Sequence, residues 1–199
     1  YNNLCENLNG TLLKIGPGSD TYINVFDIRK ESIEDDEQGY LANKISKLIG
    51  FLNLIFGKIN EEEKAILEEK LIELYAIKNI TFDDKSLYKE NNLDKNNIEF
   101  KESKDMPILQ DFYEILDKDE RTKIFKTKLI PFIKGSLKFF NNYTNVELNN
   151  KLIVADVYEL GEENLKYGMY LFTDLFWDKI KKDRKIKKAI YLDEIWRLI

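Results

Sequence analysis

Two adjacent acids, Asp193 and Glu194, follow the apolar run Ala189-Ile190-Tyr191-Leu192 near the end of this 199-residue chain. Paired carboxylates at the carboxyl end of a buried strand have a specific use in nucleotide hydrolysis. The first acid holds Mg²⁺, usually through water, and the second takes a proton from the attacking water. Adjacent strand residues point in different directions, so one acid can face the metal while its neighbour faces the γ-phosphate. Asp-Glu alone is not specific, because acids are also common where strands run into turns. A nucleotide site also needs a glycine-rich loop ending Gly-Lys-Ser or Gly-Lys-Thr, whose amides cradle the phosphates, and the sequence contains none. Gly16-Pro17-Gly18-Ser19-Asp20 has the glycines without a lysine, and its proline removes an amide where amides are wanted. Gly57-Lys58 closes an amphipathic stretch and continues into Ile59, so these segments read as a turn and a helix end. Asp156 ends a second apolar run, Leu152-Ile153-Val154-Ala155, and is a further candidate, since open α/β sheets bind ligands beyond their strands' carboxyl ends.

The elements that would position these acids follow from hydrophobic period. Leu152 to Ala155 has the length and β-branched content of a strand buried on both faces. A long helix is expected from Glu162 to about Asp183, with Leu165, Met169, Phe172 and Phe176 on one face and cations in its last turns, where they suit the helix dipole. Ala189 to Leu192 is expected to be a second buried strand, making a right-handed βαβ crossover with two parallel strands. Upstream, Thr11 to Ile15 and Tyr22 to Phe26 are strand or extended runs punctuated by glycine, proline and aspartate.

The middle of the chain is helical. Leu41, Ile45, Leu48, Leu52 and Ile55 share one face of a helix between Glu37 and Phe56, which Gly57 ends. Asn60 and Glu63 have capping-box spacing ahead of a second helix that includes Ile66 to Tyr75. Asp83 to Lys104 is polar and aperiodic, mainly a surface loop, with Thr81 to Asp84 able to cap a short helical turn. A third helix runs from Pro107 to about Leu116, and a fourth from about Glu120 toward Lys134 with Pro131 inside it. The phenylalanines Phe51, Phe56, Phe112, Phe125, Phe139 and Phe140 read as core rather than as a base-stacking platform.

Composition narrows the function classes. With 43% hydrophobic residues the chain can bury a core, and a net charge of −5 with lysines and acids interspersed disfavours nucleic-acid binding. A single cysteine, Cys5, beside an acid carries no chemistry, and without histidine a Cys/His zinc site cannot be assembled. The most apolar stretch, Ile49 to Phe56, falls far short of the roughly 20 residues that span a bilayer. Nothing at the start reads as a signal peptide, and a cytoplasmic setting is expected. Beginning without methionine and stopping inside an apolar run, the chain is expected to be an excised piece.

Together, Tyr22-Ile23-Asn24-Val25-Phe26-Asp27-Ile28, the helical middle, Leu152 to Leu160, and Lys188 to Trp196 resemble the conjugal-transfer ATPases of type IV secretion systems, of the VirB/TrbE/TraC kind. These belong to the HerA/FtsK superfamily. The similarity runs through essentially the whole chain, and Asp193-Glu194-Ile195-Trp196 is its most specific part. The resemblance implies a mainly α, α/β fragment: an all-α insertion subdomain flanked by pieces of a RecA-like parallel sheet. Its ranges would be an entry segment at 1–29, the helical subdomain at 30–148, and a βαβ return at 149–199 ending in the Walker B strand. It implies Asp193 as the Mg²⁺-associated carboxylate and Glu194 as the catalytic base. ATP and Mg²⁺ would be the cofactors of the intact protein, whose phosphate loop lies upstream, and the fragment alone would be inactive. Other secretion subunits, a hexamer of the intact protein, and a cytoplasmic place peripheral to the inner face of the cell membrane are implied as well. Two rival readings are a non-catalytic helical protein-interaction module and a DNA-pumping motor of the same superfamily.

Overall fold

The computed structural model describes residues 2–29, 39–89, 104–146, 150–181 and 185–193. Among them are six α-helices: α1 (Asn2–Asn7), α2 (Tyr40–Phe56), α3 (Glu61–Ile77), α4 (Leu109–Leu116), α5 (Lys123–Ile133) and α6 (Gly161–Lys181). Two short strands, β1 (Thr11–Lys14) and β2 (Ile153–Asp156), complete the regular structure apart from single 3-10 turns. The chain divides into two compact units, one of residues 1–25 with 129–199 and one of residues 26–128.

The unit of residues 26–128 is helical because its apolar residues recur at helical spacing. On α2, Leu41, Ile45, Leu48, Phe51, Leu52 and Phe56 are buried, and Gly57 ends the helix at a φ of 82°, which a side chain would resist. The expected capping box forms at α3: Asn60 Oδ1 accepts from the Glu63 amide, and Glu63 Oε2 accepts from the Asn60 amide, both at 2.9 Å. Helix α3 packs on α2 and α4. The ring of Phe112 on α4 lies 6.0 Å from that of Phe26, and the Tyr75 hydroxyl donates to the Phe26 carbonyl at 2.6 Å. Pro107 stands just outside α4, since the backbone of Ile108 is still extended. Asp83 caps a 3-10 turn at Asp84–Leu87 through the Lys85 amide.

In the other unit, β1 and β2 pair in parallel, Thr11 opposite Ile153 and Lys14 opposite Asp156. Parallel pairing needs a long connection, and here it is everything between Lys14 and Ile153. The returning chain is fastened by side chains. The amides of Tyr22 and Asn24 donate to Asn145 Oδ1 and Thr144 Oγ1, both at 2.8 Å, and Asn150 Nδ2 donates to Thr11 Oγ1 at 2.7 Å. Tyr22 to Asn24 is therefore tied down without being a ladder strand, and Val25 and Phe26 form a turn rather than continuing the expected extended run. Phe132, Phe140 and Tyr167 form an aromatic cluster, the Phe132 and Tyr167 rings meeting edge to face at 5.1 Å.

Three local expectations are corrected here. Ala189 to Leu192 is not a strand, and Ile190, Tyr191 and Leu192 are exposed. A strand buried on both faces needs paired neighbours, and among the described residues β2 pairs only with β1. Strand β2 is half-buried along its length rather than buried on both faces. The buried face of α6 is Tyr167, Gly168, Leu171, Phe172, Leu175 and Asp178, rotated from the expected one. Gly168 sets the rotation: a Cβ there would stand 2.3 Å from Leu160 Cδ1 and 3.0 Å from Val157 Cγ1.

Candidate functional site

Because β1 and β2 are parallel, both deliver their chain to the same sheet edge, where open α/β folds place ligands. Beyond β1, the Ile15 amide donates to the Asp156 carbonyl at 3.1 Å, and the chain turns at Gly16-Pro17-Gly18-Ser19 with the Ser19 amide donating to the Gly16 carbonyl at 3.2 Å. The Ser19 hydroxyl donates back to the Lys14 carbonyl and accepts from the Thr21 amide at 3.1 Å. Both contacts fix the loop locally. Beyond β2, Asp156 Oδ1 accepts from the Tyr158 amide at 3.0 Å, starting a 3-10 turn that leads into α6. The two exits touch: a Cβ on Gly16 would lie 2.7 Å from Glu159 Cβ. This edge thus gathers Lys14, Asp156 and Glu159 around a glycine that permits close approach.

Of the acids singled out from sequence, Asp156 reaches this edge, and Asp193 is exposed in non-strand backbone. Glu194 lies outside the described residues. Among the described residues no group of three or more Cys, Asp or Glu side chains converges in a way that could hold a metal ion.

The strongest electrostatics lie in the helical unit. Lys70 on α3 is buried, with Nζ 3.1 Å from Glu73, 3.2 Å from Asp119 and 3.4 Å from Glu69. Arg121 closes the network with Nε on both Asp119 oxygens at 3.1 and 3.2 Å, and with its NH2 group 2.7 Å from Asp119 and 3.1 Å from Glu69. Burial pulls the Lys70 pKa down, but its bonds to Glu73, Asp119 and Glu69 outweigh that and leave it raised. Hydrogen bonds from the Arg121 side chain, then from its backbone amide, hold the Asp119 carboxyl well below the usual carboxylate range. The network ties α3 to the turn before α5, a structural role that sequence periodicity did not flag.

A depressed folded pKa stabilises the fold above the unfolded pKa of about 4, and that stabilisation is lost as pH falls through the folded value. Wild-type chain is therefore expected to lose stability more steeply below about pH 4 than Asp119→Asn. Urea titrations at pH 7 and pH 3 check this, and equal acid sensitivity of the two proteins would remove Asp119 from the account.

No helix among the described residues is long and apolar enough to cross a membrane. No family model and no curated protein sequence matches the chain. Among solved structures, the chain is similar to one described as VirB4 of Thermoanaerobacter pseudethanolicus, at 22% identity and a TM-score of 0.77. The match covers 100% of this chain and 72% of that one, so the chain has, over its whole length, the fold of a region of that VirB4.

Proposed function

We propose that the chain belongs to an ATPase motor of the VirB4 kind that powers conjugative DNA transfer or type IV secretion. The observation that carries this reading is the whole-chain fold likeness to a VirB4 structure. The Asp193-Glu194 pair after an apolar run adds chemical support. In this reading residues 1–29 enter a RecA-like core, 30–148 form its helical subdomain, and 149–199 return to the core through the Walker B strand. Asp193 is the Mg²⁺-associated carboxylate and Glu194 the base. Ile190 to Leu192 would gain their missing strand neighbours from the rest of the core.

Magnesium in such sites is held by one or two carboxylates together with substrate phosphates and water, so a lone hard-oxygen donor such as Asp193 fits it without an all-protein cage. When bound, the ion would neutralise charge on the β- and γ-phosphates. The motor would act as a hexamer with other secretion subunits, peripheral to the inner face of the cell membrane. The 199-residue piece, without a phosphate loop, would be inactive. The test is steady-state ATP hydrolysis by the full-length protein with Mg²⁺ and after its chelation. Hydrolysis that needs Mg²⁺ is expected. A full-length protein that does not hydrolyse ATP with Mg²⁺ present would sink the reading.

A further inference from the structure

From Arg121 to Val146 the sequence has six Lys or Arg and no acid, in a chain whose net charge is −5. Several of these cations are answered within the fold. Arg121 is held by Asp119 and Glu69, Lys123 pairs with Glu120, and Lys126 pairs with Asp117. Lys128 donates to the carbonyl of Phe56, the last residue of α2. Lys134, whose amide continues the bonding of α5 by donating to the Ile130 carbonyl at 2.9 Å, has no side-chain partner among the described residues. The helix dipole favours a cation there, but it has no use for the apolar residues that stand beside it. Helical spacing puts Ile124, Thr127 and Pro131 in a line along the solvent side of α5, all exposed. Lys128 stands on one flank of that line, Lys123 and Lys134 on the other. Ile124 is 57% exposed, while the opposite side of the helix, Phe125, Leu129 and Phe132, is buried.

Helix α3 carries the complementary pattern. Along its solvent side run Ala65, Ile72 and Ala76, the alanines exposed and the isoleucine half-buried. Glu61 and Glu68 stand on one flank of this line, Glu62 and Glu69 on the other, and all four are exposed. Glu61 lies 4.0 Å from Lys64, and Glu69 is engaged by Arg121. Glu62 and Glu68 have no side-chain partner among the described residues. The small alanines leave room for a second helix to approach closely.

We propose that α5 of one copy docks on α3 of another copy, apolar line on apolar line and lysines on glutamates. Charges flanking an apolar seam set partner and orientation between packed helices, and opposite signs suppress the wrong pairing. The two surfaces differ, so the contact is heterologous, and its repetition builds a ring where the rotation closes. The inference rests on the assembly part of the reading above and not on its hydrolytic part. An anionic bilayer or a nucleic acid fits α5 less well. Asp117 and Glu120 stand exposed close to its first turn and repel anions. The exposed side of α5 carries no ring on which a base could stack, and Arg121 is committed to Asp119 and Glu69.

The test is sedimentation velocity of the full-length protein with Mg²⁺ and a non-hydrolysable ATP analogue. Wild type is compared with Lys134→Glu, with Glu62→Lys/Glu68→Lys, and with all three changes combined. Each reversal is expected to weaken self-association by about tenfold, as attraction between exposed charges turns to repulsion. The combination is expected to restore it, because opposite signs again meet across the contact. All three side chains are exposed and without partners among the described residues, so circular dichroism should be unchanged. Rescue by a change on the other helix would also exclude misfolding as the cause of the loss. Reversals that leave association unchanged, or a combination no better than either, overturn this interface while leaving assembly by another surface intact. A wild-type protein that stays monomeric overturns both, and no outcome bears on the roles of Asp193 and Glu194. Loss of anionic-vesicle or oligonucleotide binding in Lys134→Glu with self-association unchanged would assign α5 to that partner instead.

Discussion

Glu194→Gln in the full-length protein is expected to cut steady-state ATP hydrolysis by about 10²- to 10⁴-fold while ATP binding survives. The amide keeps the size and polarity of the carboxylate but cannot accept a proton from the attacking water. The loss should therefore fall on kcat, with little change in the concentration of ATP needed for half-saturation. Under the proposed roles Asp193→Asn should behave differently, because it would weaken a metal ligand rather than a base. Its activity is expected to recover partly as Mg²⁺ is raised, whereas that of Glu194→Gln does not. A rate unchanged in Glu194→Gln removes the acid pair from the chemistry and returns the chain to the interaction-module reading.

Local features were legible in the sequence because they need only local partners. The Asn60–Glu63 capping box spans three residues, and it forms as expected. Of the six phenylalanines expected in the core, Phe51, Phe56, Phe112, Phe125 and Phe140 are buried, while Phe139 is only half-buried. What failed was non-local. Apolar period shows that β2 is a strand but not that its neighbour is Thr11–Lys14, because register is set by contacts far along the chain. The same limit made Ala189 to Leu192 look like a finished strand, although an apolar run becomes one only beside a hydrogen-bonding neighbour. On α6 the expected face counted large side chains and passed over Gly168, yet it is the missing Cβ that lets Leu160 and Val157 settle on the helix. At the candidate site the residue types were readable, and Asp156 stands at the sheet edge as expected. Glu159 escaped notice because only folding brings it against Gly16.

Phe112→Ala is expected to destabilise the helical unit by about 3–5 kcal/mol, the range for deleting a fully buried aromatic ring. Phe112 is wholly buried, and its ring lies 6.0 Å from that of Phe26. Phe26 is itself held through its carbonyl by the Tyr75 hydroxyl at the end of α3. Collapse into the space left behind would have to move that hydrogen-bonded backbone, so the cavity should persist and the cost should sit high in the range. Helix α4 has eight residues, too few to be stable without tertiary packing, and Phe112 is one of four side chains it buries. Phe82→Ala provides the contrast: that ring is 57% exposed, and its loss should change stability by no more than about 0.5 kcal/mol. Urea unfolding of the 199-residue chain, followed by far-ultraviolet circular dichroism, measures both variants. A Phe112→Ala cost below about 1 kcal/mol would mean that the α3–α4 packing relaxes around the missing ring, and the rigidity assigned here to the Phe26–Tyr75 bond would have to be given up.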